Sequence, residues 1–189
     1  MRLLSLLLII LLIIQGCKTT PHQKYVSSSD SLYFLNKGQI HFLESFPGDS
    51  LKALKRGINK DFNSLQTYST GPNSPFIQGK FDSYFKISDQ IESLLAAHQQ
   101  LVLQLAADQN RLVALKNMMR EQNSKDAAGN EVTDQYLRDI LLHESQHLDS
   151  VQITTRTQHE QAILVMQQVK WLQPLVQKSI EEIQINTPF

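Results

Sequence analysis

The residues of this chain best suited to chemistry are His143, Glu144 and His147, in the stretch His143-Glu144-Ser145-Gln146-His147. On a helix, an i, i+4 spacing sets two imidazoles one turn apart on the same face. Both can then ligate a zinc ion while the intervening glutamate polarises a bound water as general base. Such a site also needs a third protein ligand and an open coordination position. The obvious downstream candidates are His159 and Glu160, twelve and thirteen residues beyond His147, and neither glycine nor proline occurs between His147 and Pro174. In an uninterrupted helix His159 lies about 18 Å further along the axis, too far to share an ion with His147.

The pentapeptide resembles the helix-borne signature of zinc peptidases, which implies His143 and His147 as ligands and Glu144 as base. The chain departs from that pattern at Asp149, where those enzymes prefer an apolar residue, and in its scarcity of strand signals. Glu144-x-x-His147 also resembles half of the ligand pattern of ferritin-like di-iron bundles. Those proteins need a second such pair and two further glutamates, and the sequence has no second E-x-x-H.

A different partner for these residues emerges if the chain turns back near Gly129. Facing positions then place Asp108 opposite Ser150 and close to His147, and His98 opposite Glu160. Polar residues of two helices fall into common layers, and His98, Asp108, Glu144 and Gln158 are expected to form hydrogen-bonded layers that fix register. The alternative is a metal site of His143, His147 and Asp108, with Glu144 as base and zinc as the ion. The expectation is no cofactor, with zinc as the alternative.

The elements that must position these groups read as helices. Asp30 caps a short helix over about 30–46 with Leu32, Leu35, Phe42 and Phe46 near one face, weakened by Gly38. After the break at Phe46-Pro47-Gly48, a second helix over about 49–66 repeats Leu51, Leu54, Ile58, Phe62 and Leu65 at helical spacing. The stretch TYSTGPNSPFIQG, with its Gly-Pro and Ser-Pro steps, reads as a loop.

From about 81 to 123, Tyr84, Ile87, Ile91, Leu94, His98, Leu101, Leu105, Asp108, Leu112, Leu115 and Met119 recur in steps of three and four, a coiled-coil seam. The segment KDAAGNEVTD turns the chain, and Thr133 or Asp134 caps the next helix. That helix, about 134–173, carries a matching stripe from Leu137 through Val151, Val165 and Val169 to Val176, with Glu144, Thr155 and Gln158 as polar members. Pro174 is expected to bend or end it, with a C-terminal helical extension to about 185. Trp171, Tyr84 and the phenylalanines fall singly at helix-face spacing and are expected in the core.

The expected fold class is therefore all-α. It is an elongated helical bundle built on a long antiparallel coiled-coil hairpin, with two shorter N-terminal helices, forming a single helical domain over 30–189.

The N-terminus is of another kind. Arg2 precedes an unbroken apolar run from Leu6 to Ile14, about half the ~20 residues a membrane-spanning helix needs and suited to the core of a secretory signal. It ends in Ile14-Gln15-Gly16-Cys17, which resembles the lipobox of bacterial lipoprotein precursors. The resemblance implies cleavage of a 1–16 signal peptide before Cys17, a diacylglyceryl thioether on its sulfur and an acyl chain, such as palmitate, on its nitrogen.

Cys17 is the only cysteine in 189 residues, so no intramolecular disulfide is possible. Two acyl chains suffice for stable anchoring at about 0.8 kcal/mol per buried methylene. Lys18 is not the aspartate associated with inner-membrane retention, so the resemblance favours an outer-membrane protein facing the periplasm. Residues 17–29, rich in threonine and serine around Pro21, read as a flexible lipid-anchored tether.

Charge excludes one class of partner. Formal net charge is zero, and removal of Arg2 with the signal leaves 17 basic against 18 acidic residues, with no basic footprint for nucleic acid. The expected partners are a membrane, through Cys17, and a protein, through the glutamine-rich flanks of the hairpin. These features predict a non-catalytic scaffold or partner-binding module of the cell envelope, the alternative being a zinc-dependent hydrolase or metal-binding protein.

Overall fold

The computed structural model describes residues 21–68 and 74–186. Nearly all of these lie in four helices: α1 (Pro21–Glu44), α2 (Gly48–Tyr68), α3 (Ser74–Glu121) and α4 (Asp134–Asn186). The described residues contain no strand, only an isolated antiparallel bridge from Lys125 to Glu131, so the protein is all-α. None of these helices is long and apolar enough to cross a membrane. The expected signal segment 1–16 and Cys17 lie outside the described residues.

Helix α3 forms because its apolar residues return every three to four positions and so share one face. Tyr84, Ile87, Ile91, Leu94, Leu101, Leu105, Leu112, Leu115 and Met119 are all buried, with Asp108 among them. In α4 the same holds for Leu137, Leu141, Leu148, Val151, Ala162, Val165, Val169 and Val176, with Glu144 and Thr155 interleaved. Each leucine-sized side chain so buried contributes roughly 1.5–3 kcal/mol. Thr155 satisfies its hydroxyl within its own helix by donating to the Val151 carbonyl at 2.7 Å.

Several boundaries differ from the sequence reading. The segment read as a tether is helical over its described residues from Pro21, because these turns are docked. His22 Nε2 donates to the Asn123 carbonyl at 3.0 Å, and the Tyr25 hydroxyl donates to Asp134 at 2.9 Å. Helix α1 also passes through Gly38, and the expected face is only partly buried: Phe46 is in the core and Leu32 packs against a separate core cluster. Leu35 and Phe42 are 41% and 40% exposed, whereas Ser29, Asn36, Gln39 and Leu43 are buried.

Helix α3 begins at Ser74, inside the stretch read as loop; residues 69–73 of that stretch lie outside the described set. Helix α4 continues through Pro174 to Asn186. The proline forfeits a single hydrogen bond to the Lys170 carbonyl, and burial of Val169, Val176 and Ile180 on either side of it offsets that loss. Trp171, expected in the core, is 73% exposed.

Packing divides into two compact units. One comprises Ala107–Asp149 with the described residues up to Lys37; the other comprises the described residues of Gly38–Ala106 and those from Ser150 onward. In the first, Tyr25, Leu115, Met119, Leu137 and Leu141 form the core. Asp30 of α1 is clamped there by Lys116 at 2.7 Å and Arg120 at 3.2 Å.

The turn between α3 and α4 is organised by Asp126. Its carboxylate accepts from the backbone of Ala128 and Asn130, the Asn130 side chain and the Tyr136 hydroxyl, and these donors hold its pKa down at about 2. Gly129 supplies the positive φ of 87° that this turn requires, and Thr133 Oγ1 caps α4 by accepting from the Tyr136 amide at 3.1 Å.

In the second unit, α2 and Phe46 of the link before it pack on α3 and α4 through Leu51, Ile58, Ile91, Val165 and Val169. The Tyr84 hydroxyl donates to buried Asp61 at 2.7 Å, and Lys55 reaches Glu92 at 2.8 Å.

Candidate functional site

The first unit holds a charged cluster at the level of the His143–His147 motif. Asp108 occupies a core position of α3 and Glu144 a core position of α4; their side chains are 2% and 4% exposed. An isolated buried carboxylate costs several kcal/mol in lost hydration, so each must be met by donors. The sequence provides them with one repeated device. Three residues after each acid, on the edge of the same stripe, stands a basic residue: Arg111 after Asp108 and His147 after Glu144.

Each basic residue reaches across to the acid of the other helix. Arg111 Nε donates to Glu144 Oε1 at 2.7 Å and its Nη2 to Oε2 at 3.0 Å, a two-pronged pairing that fixes both oxygens. Nη2 also donates to Asp108 Oδ1 at 2.9 Å. His147 Nε2 donates to the other Asp108 oxygen, Oδ2, at 2.9 Å. All four carboxylate oxygens are thereby engaged. The Glu144 hydrogen bond, with both carboxylates beside it, makes the Arg111 guanidinium still harder to deprotonate than usual, against the opposing effect of partial burial.

The structure thus brings Asp108 and His147 together, as the facing register requires, and adds Arg111, which sequence reasoning missed. Its signal was present: Asp108-x-x-Arg111 has the spacing of Glu144-x-x-His147 with the same order of acid and base. His143 does not join the cluster. Its side chain is 76% exposed, and its Nδ1 comes no closer than 4.0 Å to Glu144 Oε1.

A general base needs an accessible lone pair on a carboxylate free to take a proton, but Glu144 is buried and held by Arg111. A zinc site needs several donor atoms converging on one point. Among the described residues no group of three histidine, cysteine, aspartate or glutamate side chains does so. Helix α4 runs uninterrupted from Glu144 past His159. Arg111 and Glu144 line one end of a hollow of about 530 Å³ whose apolar wall includes Leu115, Met118 and Ile140. The arrangement is suited to holding two helices in one register, since a shift of either by one turn strands two buried charges.

The second unit contains the other polar layer. His98 stacks on Phe46 with ring centroids 4.1 Å apart and planes within 9°, and His159 packs against Phe42 at 5.1 Å. The buried atoms His98 Nδ1 and Gln158 Oε1 have no hydrogen-bond partner among the described residues. Burial, reinforced by the charge of Lys52, pushes the His98 pKa down. The expected hydrogen-bonded layer is therefore formed by Asp108 and Glu144, whereas His98 is held by stacking.

No protein family, no curated protein and no solved structure matches this chain.

Proposed function

We propose that this chain is a lipid-anchored bacterial cell-envelope protein that acts as a helical scaffold or partner-binding module. The observation that carries the reading is the apolar run Leu6–Ile14 followed by Ile14-Gln15-Gly16-Cys17, with Cys17 the sole cysteine of the chain. The signal of residues 1–16 is removed, Cys17 becomes the acylated N-terminus, and the protein is held on the periplasmic face of the outer membrane. Its working part is a long antiparallel coiled-coil hairpin of α3 and α4 within an elongated bundle. The crossed hydrogen bonds of Asp108, Arg111, Glu144 and His147 support that reading because they suit a role in which register, rather than turnover, is fixed.

The test is mass spectrometry of the N-terminal peptide from the full-length chain expressed in a diderm bacterium, with membrane fractionation. The expected species begins at Cys17 and carries diacylglycerol and an N-acyl chain in the outer-membrane fraction, and Cys17→Ser abolishes it. A mature chain that retains residues 1–16 with a free Cys17 thiol overturns the anchor. Crosslinking in the native envelope that recovers no protein partner overturns the scaffold.

A further inference from the structure

The outward face of α4 in the second unit is apolar where an amphipathic helix is normally polar. Ile153, Leu164, Trp171, Leu175 and Ile185 are between 55% and 81% exposed. At 3.6 residues per turn they fall within about 80° of one another around the helix, opposite the buried stripe of Ala162, Val165, Val169 and Val176. Leu164, Trp171 and Leu175 form its middle, spanning about 16 Å of axis. An exposed apolar middle of this kind, with the charged residues Glu160 and Lys178 towards its two ends, marks an interaction surface.

The charges on the strip specify its occupant. Glu160 and Lys178 are exposed and lie along its midline, and neither makes an ion pair among the described residues. A wholly apolar partner would strip water from both and return nothing, at a cost of several kcal/mol per ion. A parallel copy of the same helix would set like charges together. An antiparallel copy does the opposite, because Glu160 and Lys178 each lie nine residues from Val169, on either side of it. A two-fold axis level with Val169 therefore brings Glu160 of each copy to Lys178 of the other. The same axis brings Ile153 to Ile185 and gathers Leu164, Trp171 and Leu175 of both copies at the centre.

We infer that the protein self-associates through an antiparallel, two-fold pairing of the outward face of α4 with the same face of a second copy. Such an interface is isologous, so each contact occurs twice and each substitution counts twice. The pairing does not depend on lipid attachment at Cys17 and goes beyond the scaffold reading.

Sedimentation equilibrium of the full-length chain in detergent micelles tests it, with emission from Trp171, the only tryptophan, as a second readout. The wild type dimerises with rising concentration, and its emission shifts to the blue as the indole leaves water. E160K and K178E each create two like-charge contacts and weaken the dimer by roughly tenfold or more, while circular dichroism shows helicity retained. An equimolar mixture of the two variants, and the double variant E160K/K178E, recover association because every pair is again of opposite sign. A wild type that is monomeric throughout overturns the inference. So do single variants that associate as the wild type does, or a mixture that gains nothing over its components.

Discussion

Replacing Arg111 by methionine is the most direct perturbation of the charged cluster. The guanidinium makes three hydrogen bonds, at 2.7, 3.0 and 2.9 Å, to two carboxylates that are almost fully buried. Removal leaves Glu144 with no charged donor and Asp108 with His147 alone. Breaking a buried pair by deleting one partner costs about 3–5 kcal/mol. Because the Arg111 side chain is itself 48% exposed, water can reach part of the vacated space, and the low end of that range, about 3 kcal/mol, is expected. Urea unfolding followed by far-ultraviolet circular dichroism measures the loss. Amide hydrogen exchange locates it in the unit containing Leu115, Leu137 and Leu141.

The double variant Arg111→Met/Glu144→Leu removes the stranded charge as well as its partner. It should regain most of the loss, because apolar replacement of a buried pair is near neutral or stabilising. A double-mutant cycle then yields a coupling of about 2 kcal/mol or more. A loss below about 0.5 kcal/mol for Arg111→Met, with no coupling, would show that the pair behaves as an ordinary surface salt bridge and refute the reasoning.

Two further predictions concern the second unit. Tyr84→Phe leaves the buried Asp61 carboxylate without the hydroxyl that donates to it at 2.7 Å, a loss of about 1–3 kcal/mol in urea unfolding. Burial, then the Asp61 hydrogen bond and charge, raise the Tyr84 pKa above its ordinary 10. The unfolded chain therefore releases that proton first, and stability declines as pH rises past about 10. Tyr84→Phe abolishes this alkaline slope; a slope that persists in the variant assigns it to another group. For His98 the sign is reversed: with its folded pKa lowered, the unfolded state binds more protons as pH falls below about 6.5, and stability falls with it until the folded histidine also protonates. His98→Phe keeps a ring against Phe46 and removes that acid slope, as unfolding midpoints between pH 7 and 5 will show; an unchanged slope would place the sensitivity elsewhere.

Legibility of the fold depended on what each stripe was made of. In α3 and α4 the buried positions are mostly aliphatic, so the three-four periodicity alone locates their inner faces, including the polar members Asp108 and Glu144. In α1 the inner face is built from Ser29, Asn36, Gln39 and Leu43, and no hydrophobic pattern announces it. The apolar residues Leu35 and Phe42 pointed to the wrong side. The site was half legible for a similar reason. Turn position and helix spacing bring His147 to Asp108, but Arg111 is a common surface residue whose importance arises only from the acid opposite it.

What the amino-acid sequence determined by itself is the helical class, the stripes of α3 and α4, and the turn at Gly129, because each rests on local periodicity or on a backbone preference of single residues. What only the tertiary structure decided is which neighbour each face meets. Docking of His22 and Tyr25 makes the supposed tether helical, and burial on both sides of Pro174 carries α4 through a residue that locally disfavours it. Trp171 faces outward because the inner side of its turn is already filled by Val169 and Leu172. The pentapeptide His143–His147 shows the same division. Its spacing fixes one helical face, but the guanidinium of Arg111, 33 residues away in sequence, decides that Glu144 serves as one half of an ion pair.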